Sequence, residues 1–518
     1  MEQPTSASHR VVMNTGILYA KMGITVFISL YTTRLILNSL GESDFGIFGV
    51  VGGAIAMLGF LNAAMVGSTQ RFMSYAEGAG DKRKQKNIFN VSMILHFLIA
   101  VIVGIILLIA GYFFFQGILN IPSERVSEAR MVYYFMIIST IFSVITVPYD
   151  AVLNAHENML CFAVVGIIES VLKLGVAFIV VYTLSDKLIV YGALMAGISL
   201  FVMIIMQIYC HKKYEECDFN PKAYYNKSLM KEMTGFAGWN FLLSFTGVVG
   251  QYGLGVVLNS FFGTILNAAQ GVAVQLCGQL QALSHTMLKA LSPLITKSEG
   301  AGKRVLMLQS SMTGCKFSFF LVAIVAIPFL IDTSYIMRIW LKNVPDWGVI
   351  FFRFQVVKAL IDQLPFVFGT SIFAQGSISD YCKVRSIMNI LPVLLTMLLF
   401  YLGAPPYWMY IVWILCWSVI GGGVIIYYAV IKCGLSVSEY LKNVIKPCMI
   451  LFGAVFLITC IPYIFLPVGI IRFLCMCVVS FISFIIIFWR FSLNDYEKDI
   501  LLRIIAVLKM KIIRKQYL

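Results

Sequence analysis

Seven basic residues lie inside stretches otherwise apolar enough to cross a bilayer: Lys21, Arg34, Lys173, Lys289, Lys316, Arg353 and Lys358. A charge in hydrocarbon is costly, so such residues face protein or a hydrated cavity and mark substrate or ion pathways. Helical geometry of about 100° per residue groups Asn14, Lys21, Thr25 and Thr32 on one stripe of the first span. Arg34 falls on the other side near the outer end, where a long side chain can snorkel. In the eighth span Asn267, Gly271, Gly278, Gln281, His285 and Lys289 share a face. With Gln270, Gln275, Gln279 and Ser284 that helix reads as the wall of a hydrated cavity, since an amide facing hydrocarbon is costly. Two carboxylates each have a lysine one turn away. Glu169 with Lys173 reads as structural; Lys358 with Asp362 reads either as a coupling-ion site or as a neutralised structural pair. Lys316 is expected at the interface, and Arg353 near the outer surface. Lys21 and Lys289 have no such neighbour, so the interior reads as net cationic, which favours an anionic ligand such as a phosphate or pyrophosphate group. Lys21, Lys289, Asn14, Asn267, Gln281 and His285 are the expected substrate contacts.

The elements that carry these residues follow from composition. Of 518 residues 60% are hydrophobic and only 12% charged, whereas a soluble domain is about 25% charged. About fourteen apolar runs of roughly 20 residues are long enough to span a bilayer. They lie near 11–37, 44–68, 91–115, 131–153, 161–183, 189–210, 236–262, 264–292, 311–331, 348–373, 384–403, 408–431, 447–466 and 469–489. This is an all-α integral membrane protein, and no connection is long enough for an attached soluble catalytic domain. The net charge of +15 is a matter of topology. With Arg385 and Arg472 counted to the connections, roughly four times as many Lys and Arg lie on the side of the N-terminus as on the other. Both termini are therefore expected in the cytoplasm, and no nucleic-acid partner is needed to explain the charge. The first span is too long for the apolar core of a signal peptide and is expected to stay. Twelve cysteines are scattered without metal-ligand spacing and read as small apolar packing residues. No metal, cofactor or catalytic residue is indicated, and no GxxxxGK[ST] loop for a nucleotide occurs.

The chain also repeats itself. Leu37-Asn38-Ser39 recurs as Leu258-Asn259-Ser260, and Glu77-Gly78-Ala79-Gly80 as Glu299-Gly300-Ala301-Gly302, the two offsets differing by one residue inserted near position 262. Each LNS ends an odd-numbered span and each EGAG opens the following loop, where it reads as a tight turn. Six spans per repeat give both copies the same orientation, the parallel arrangement known among secondary transporters. The expected organisation is a first six-helix bundle over 1–212, a second over 213–435, two added helices over 436–490 and a basic tail over 491–518. Lys509, Lys511, Arg514 and Lys515 beside Leu501, Leu502, Ile504 and Ile505 read as an amphipathic helix on anionic lipid. Gly46, Gly49, Gly52, Gly53, Gly59 and Gly67 in the second span, and Gly247, Gly250, Gly253 and Gly255 in the seventh, allow close helix approach.

Several segments resemble a known family. Leu40-Gly41-Glu42-Ser43-Asp44-Phe45-Gly46, Gln70-Arg71-Phe72, Leu153-Asn154-Ala155-His156-Glu157 and Ile339-Trp340-Leu341 before Pro345 resemble the Wzx-type polysaccharide flippases of the multidrug/oligosaccharidyl-lipid/polysaccharide (MOP) superfamily, over roughly residues 10–435. The resemblance implies a MATE-like V of two six-helix bundles in a bacterial inner membrane, moving an undecaprenyl-pyrophosphate-linked oligosaccharide by alternating access. It further implies head-group contacts at Lys21 and Lys289. With no nucleotide-binding loop the energy is expected from an ion gradient such as H+ or Na+, from the membrane potential or from product consumption on the far side, and polysaccharide assembly proteins are expected partners. The added helices resemble the extra pair of the lipid II flippase branch. A MATE-type ion-coupled multidrug exporter is the alternative in the same fold, disfavoured at this level because the first span carries Lys21 and no carboxylate. A membrane-embedded transferase is the alternative from another class, with His96, His156, His285, Glu157 and Asp150 as its scattered candidates.

Overall fold

The structure is a computed structural model that describes residues 4–56, 59–118, 121–340, 346–494, 497–498 and 502. Leu341 and Pro345, and the tail residues Leu501, Ile504, Ile505, Lys509, Lys511, Arg514 and Lys515, lie outside the described residues. The described residues are helical with no strand among them. The principal helices are α1 Pro4–Ala56, α2 Gly59–Ala79, α3 Lys82–Phe113, α4 Val126–Ala155, α5 Met159–Tyr182, α6 Lys187–Lys213 and α7 Lys227–Gly300. They continue as α8 Arg304–Ile331, α9 Gly348–Gln363, α10 Phe368–Gln375, α11 Ser379–Tyr401, α12 Trp408–Cys433, α13 Val437–Phe465 and α14 Ile470–Ile487.

Among the described residues eleven helices are long and apolar enough to cross a membrane, or twelve if α9 and α10, bent by 44°, form one broken span. The number is smaller than fourteen for local reasons. A straight helix of α7's 74 residues would measure about 110 Å, against a hydrocarbon core of about 30 Å. It divides at Gly263, whose backbone (φ 79, ψ −175) is not helical. The run 44–68 in turn straddles residues 57 and 58, which are not described.

Two compact units result. One holds Gly16–Phe245 with Thr296–Gly302; the other holds Thr246–Ile295 and the chain from Lys303, together with the first residues through Thr15. In the first unit Tyr133 of α4 is fully buried among Val103, Leu107 and Leu188, and its hydroxyl donates 2.7 Å to the Leu107 carbonyl. A second core gathers Ile36, Val176, Ala177, Val180 and Ile198. Along α3, Phe97, Val101, Ile102, Ile105, Leu108, Ile109 and Tyr112 are exposed. An apolar strip of that length suits lipid as its solvent.

In the second unit the last two helices are bound to α8 at two levels, near its middle and at its C-terminal end. Lys316 is 3% exposed and pairs at 2.5 Å with Glu497, while also donating to the Ser492 carbonyl. The partner of Lys316 follows the last helix, 181 residues along the chain. At the C-terminal end of α8, Arg472 of α14 grips Asp332 through bonds of 2.7 and 2.9 Å and stacks over Tyr463. Phe320, Phe484 and Phe488 pack edge to face between these clamps. Helices α13 and α14 are thus integral to the second unit.

Candidate functional site

In the first unit Lys21 projects from α1 onto α5. Its Cε and Nζ lie where a Cβ on Gly166 would stand 2.4 and 2.7 Å away, so glycine at 166 makes the approach feasible. The ammonium sits 4.5 Å over the Phe162 ring, a contact that stabilises a cation away from water. Glu169, Asp150 and Lys173 act on it electrostatically, and Glu169 is itself 2.7 Å from Lys173. Two carboxylates therefore oppose two lysines. The expectation that Lys21 is an uncompensated cation is corrected: its counter-charges come from α4 and α5. The stripe drawn on α1 is divided as well. Asn14 is buried and belongs to the second unit, Thr25 bonds back to the Met22 carbonyl, and Thr32 is buried.

The second unit holds a second charged cluster on α9, α11 and α12. Lys358 is 6% exposed and donates 2.7 Å to Asp362, and its ammonium lies 4.6 Å from the Trp413 ring and 5.3 Å from Trp417. Arg385 of α11 stacks 5.1 Å from Trp417 and donates to the Trp417 carbonyl at 2.9 Å. Its Nη1 occupies the space that a side chain at Gly421 would fill, a Cβ there standing 1.6 Å away. Trp413 Nε1, Tyr410 Oη, Gln355 Oε1 and Ser418 Oγ on these helices are buried without a hydrogen-bond partner in the protein. Buried polar atoms of that kind call for water or ligand. Lys358 and Asp362 were expected as a pair; Arg385, Trp413 and Trp417 were not expected as part of it. The available signal was the position of Arg385 at the border of its span.

The polar face of α7 after Gly263 is partly exposed. Gly271, Gln275, Gly278, Gln279 and His285 are exposed, while Asn267, Gln281 and Lys289 are half-buried. Asn267 turns back toward Gly255 across the break, and His285 meets the Phe366 ring edge-on at 5.2 Å. Lys289, Gln281 and His285 thus lie along one helix.

A third cluster lies where α2 and α7 end, within the first unit. A Cβ on Gly78 would stand 2.1 Å from the Lys297 carbonyl oxygen, and one on Gly300 2.2 Å from that of Tyr75. The two helix ends touch reciprocally, each through its EGAG glycine. Lys297 pairs with Glu157 at 3.2 Å, and Gln85 donates 2.7 Å to Glu77. His156 lies 3.4 Å from Glu77, bonds Glu216 through Nε2 and stacks on Tyr214 at 4.3 Å. Burial is the strongest single influence and acts to raise the Glu216 carboxyl, but the bond to His156, a backbone N–H and the charges of His156 and Lys82 together outweigh it and leave the carboxyl below the usual carboxylate range. Asp44 and Asp186, with Arg125 clamped between them, form a fourth cluster. The segments that suggested a family resemblance, from Leu40 to Gly46 and from Leu153 to Glu157, thus supply clamps at helix ends.

Long apolar helices with ion pairs buried between them define a multi-pass integral membrane protein. The comparisons give the fold a more particular description. A family model, MatE, matches residues 20–179. Among solved structures the chain is similar to a point mutant of a MATE transporter, with a TM-score of 0.71, 14% identity, and coverage of 85% of this chain and 98% of that one. An outward-facing multidrug resistance MATE family transporter of the MOP superfamily gives a TM-score of 0.71 and 13% identity, covering 83% and 96%. A MOP superfamily transporter from Pyrococcus furiosus, described as having a binding pocket of reverse polarity that suggests a different function, gives 0.68 and 13%, covering 85% and 97%. No curated protein matches. The fold is that of the MATE transporters. The likeness to Wzx-type polysaccharide flippases is thereby corrected, because the matching model and these structural neighbours are of MATE type. The lipid-linked glycan and the polysaccharide assembly proteins lose their support with it.

Proposed function

We propose that the chain is an ion-coupled exporter of MATE type that moves amphipathic organic molecules across the membrane by alternating access, with both termini cytoplasmic. The observation that carries this reading is the Lys358–Asp362 pair beside Trp413, Trp417 and Arg385. Asp362 is a carboxylate whose present counter-ion is a side chain, and its own side chain is 19% exposed. A proton or a sodium ion can compete with the ammonium for it, and every change of partner alters what faces the two indoles. Tryptophan faces stabilise cations, so the same surfaces suit an organic cation when Lys358 is drawn away. In the first unit the objection from a net cationic interior falls once Lys21 is counted with Glu169 and Asp150; at the Lys358 cluster it is the two indole faces, and not net charge, that favour a cation.

The test is uptake of ethidium into inside-out proteoliposomes under an imposed proton or sodium gradient. Gradient-driven accumulation by the parent is expected, with at least about tenfold loss in Asp362→Asn, the scale on which removing one positioned ionisable group acts. No protein-dependent accumulation under either gradient would refute the exporter reading. Full transport by Asp362→Asn would remove Asp362 from the coupling.

A further inference from the structure

Near the end of α6 the protein surface holds a pocket of about 440 Å³ lined by Ile205, Ile208, Tyr209, Lys212 and Lys213. The size falls within the range of ligand clefts, about 300–1,000 Å³, yet its wall is one helix face, since 205, 208, 209 and 212 follow the i, i+3, i+4, i+7 spacing. Seven residues separate Ile205 from Lys212, about 10 Å along the axis. The groove is open and its lining almost wholly apolar, with the stems of Lys212 and Lys213 continuing the floor toward their exposed head groups at the helix end.

Its polar end is built from several elements. Tyr209's hydroxyl accepts from Lys213 Nζ at 2.8 Å and from Asn158 Nδ2 at 2.9 Å, and the same Asn158 amide donates 2.8 Å to Tyr214. The Asn158 carbonyl meanwhile accepts from the Cys161 backbone at the start of α5. Lys213 is thereby held in place, while Lys212 extends freely beside it. Of the two carboxylates that follow, Glu216 is taken by His156, and Glu215 does not line the pocket.

We infer that this pocket is a binding site for one anionic phospholipid, its phosphate at Lys212 and Lys213 and the upper part of an acyl chain along Ile208 and Ile205. Charge decides the head group, because two adjacent ammonium groups without a carboxylate in the lining favour a net negative lipid over a zwitterionic one. The charge bias of the loops places this end of α6 at the cytoplasmic leaflet, where anionic lipids present their surface potential. The inference does not rest on what the protein transports. It gives the Asn158–Tyr209–Tyr214 network a purpose, namely to hold one cation at head-group depth.

Native mass spectrometry of the full-length protein in an uncharged detergent tests it, with dioleoyl-phosphatidylglycerol, dioleoyl-phosphatidylcholine and glycerol 3-phosphate titrated separately. The parent should retain phosphatidylglycerol at concentrations where phosphatidylcholine does not bind. Lys212→Ala/Lys213→Ala should weaken that binding by roughly tenfold or more, as expected for removing two cations at a membrane surface. Lys227→Ala/Lys231→Ala removes two exposed lysines elsewhere and should bind as the parent does. Equal retention by the parent and by the 212/213 variant overturns the site. So does glycerol 3-phosphate displacing the lipid at equal concentration, which would make it a simple phosphate site. Should Lys212→Ala/Lys213→Ala fold poorly, Ile208→Ser serves instead, and unchanged phosphatidylglycerol retention there refutes the acyl contact.

Discussion

A buried charge is tolerated only beside its counter-charge, and in this protein the counter-charge is seldom on the same helix. Lys316 finds Glu497 and Arg472 finds Asp332 across 181 and 140 residues of sequence. Spacing along one helix can show an i,i+4 pair such as Lys358 with Asp362, and no more than that. Lys21 therefore read as a lone cation, although Glu169 and Asp150 act on it from neighbouring helices. Arg472 offers a direct check, since its side chain is 8% exposed and that of Asp332 3%. Arg472→Ala strands a buried carboxylate and should lower stability by about 3–5 kcal/mol, read as the thermal unfolding midpoint in detergent. Arg472→Ala/Asp332→Ala should recover part of the loss, because it leaves no orphaned charge. An unfolding midpoint of Arg472→Ala equal to the parent's would show that the pair does not hold α14 in place.

Helices as elements were largely legible, because apolar runs of bilayer length leave few other structures open to a backbone that must satisfy its own hydrogen bonds. Their breaks were legible only in part. Gly41 and Gly263 follow the two LNS segments and share one backbone conformation, φ 78 and ψ 170 against φ 79 and ψ −175. That region is open essentially to glycine alone. The LNS match was visible in sequence, but the backbone conformation that makes its following glycine necessary was not. Nothing lies within 4 Å of a Cβ on Gly41, so Gly41→Ala would suffer from conformation and not from crowding. It should cost about 1–3 kcal/mol, measured by chemical or thermal unfolding. Gly175, inside α5 and equally uncrowded, supplies the control: Gly175→Ala should be neutral or slightly stabilising.

At the scale of the whole molecule, a transport cycle requires some closed contact to open, and the ends of α2 and α7 are suited to that role. Gly78 meets the backbone of Lys297, and Gly300 meets that of Tyr75, each at a distance that excludes any side chain. Such a contact is tight when formed, yet small in area. The ion pair of Lys297 with Glu157 and the His156 bridge between Glu77 and Glu216 surround it with groups that can be rehydrated on separation. Alternating access needs a contact that parts and reforms in every cycle, and this crossing has the small residues and hydratable surroundings for it. Gly78→Val would wedge it open, its Cβ falling 2.1 Å from a carbonyl oxygen that belongs to a helix and cannot rotate away. The expected outcome is faster amide hydrogen exchange at 71–80 and 296–302, together with loss of gradient-driven ethidium uptake. The global unfolding midpoint should change little, since the cores around Tyr133 and Ile36 lie elsewhere. Gly78→Ala should act in the same direction, because its Cβ meets the same carbonyl oxygen, and more weakly, because it lacks the two further methyl groups of valine. Uptake at the parent's rate in Gly78→Val, with its exchange pattern opened, would mean that this crossing is static scaffolding and that the moving contact lies elsewhere.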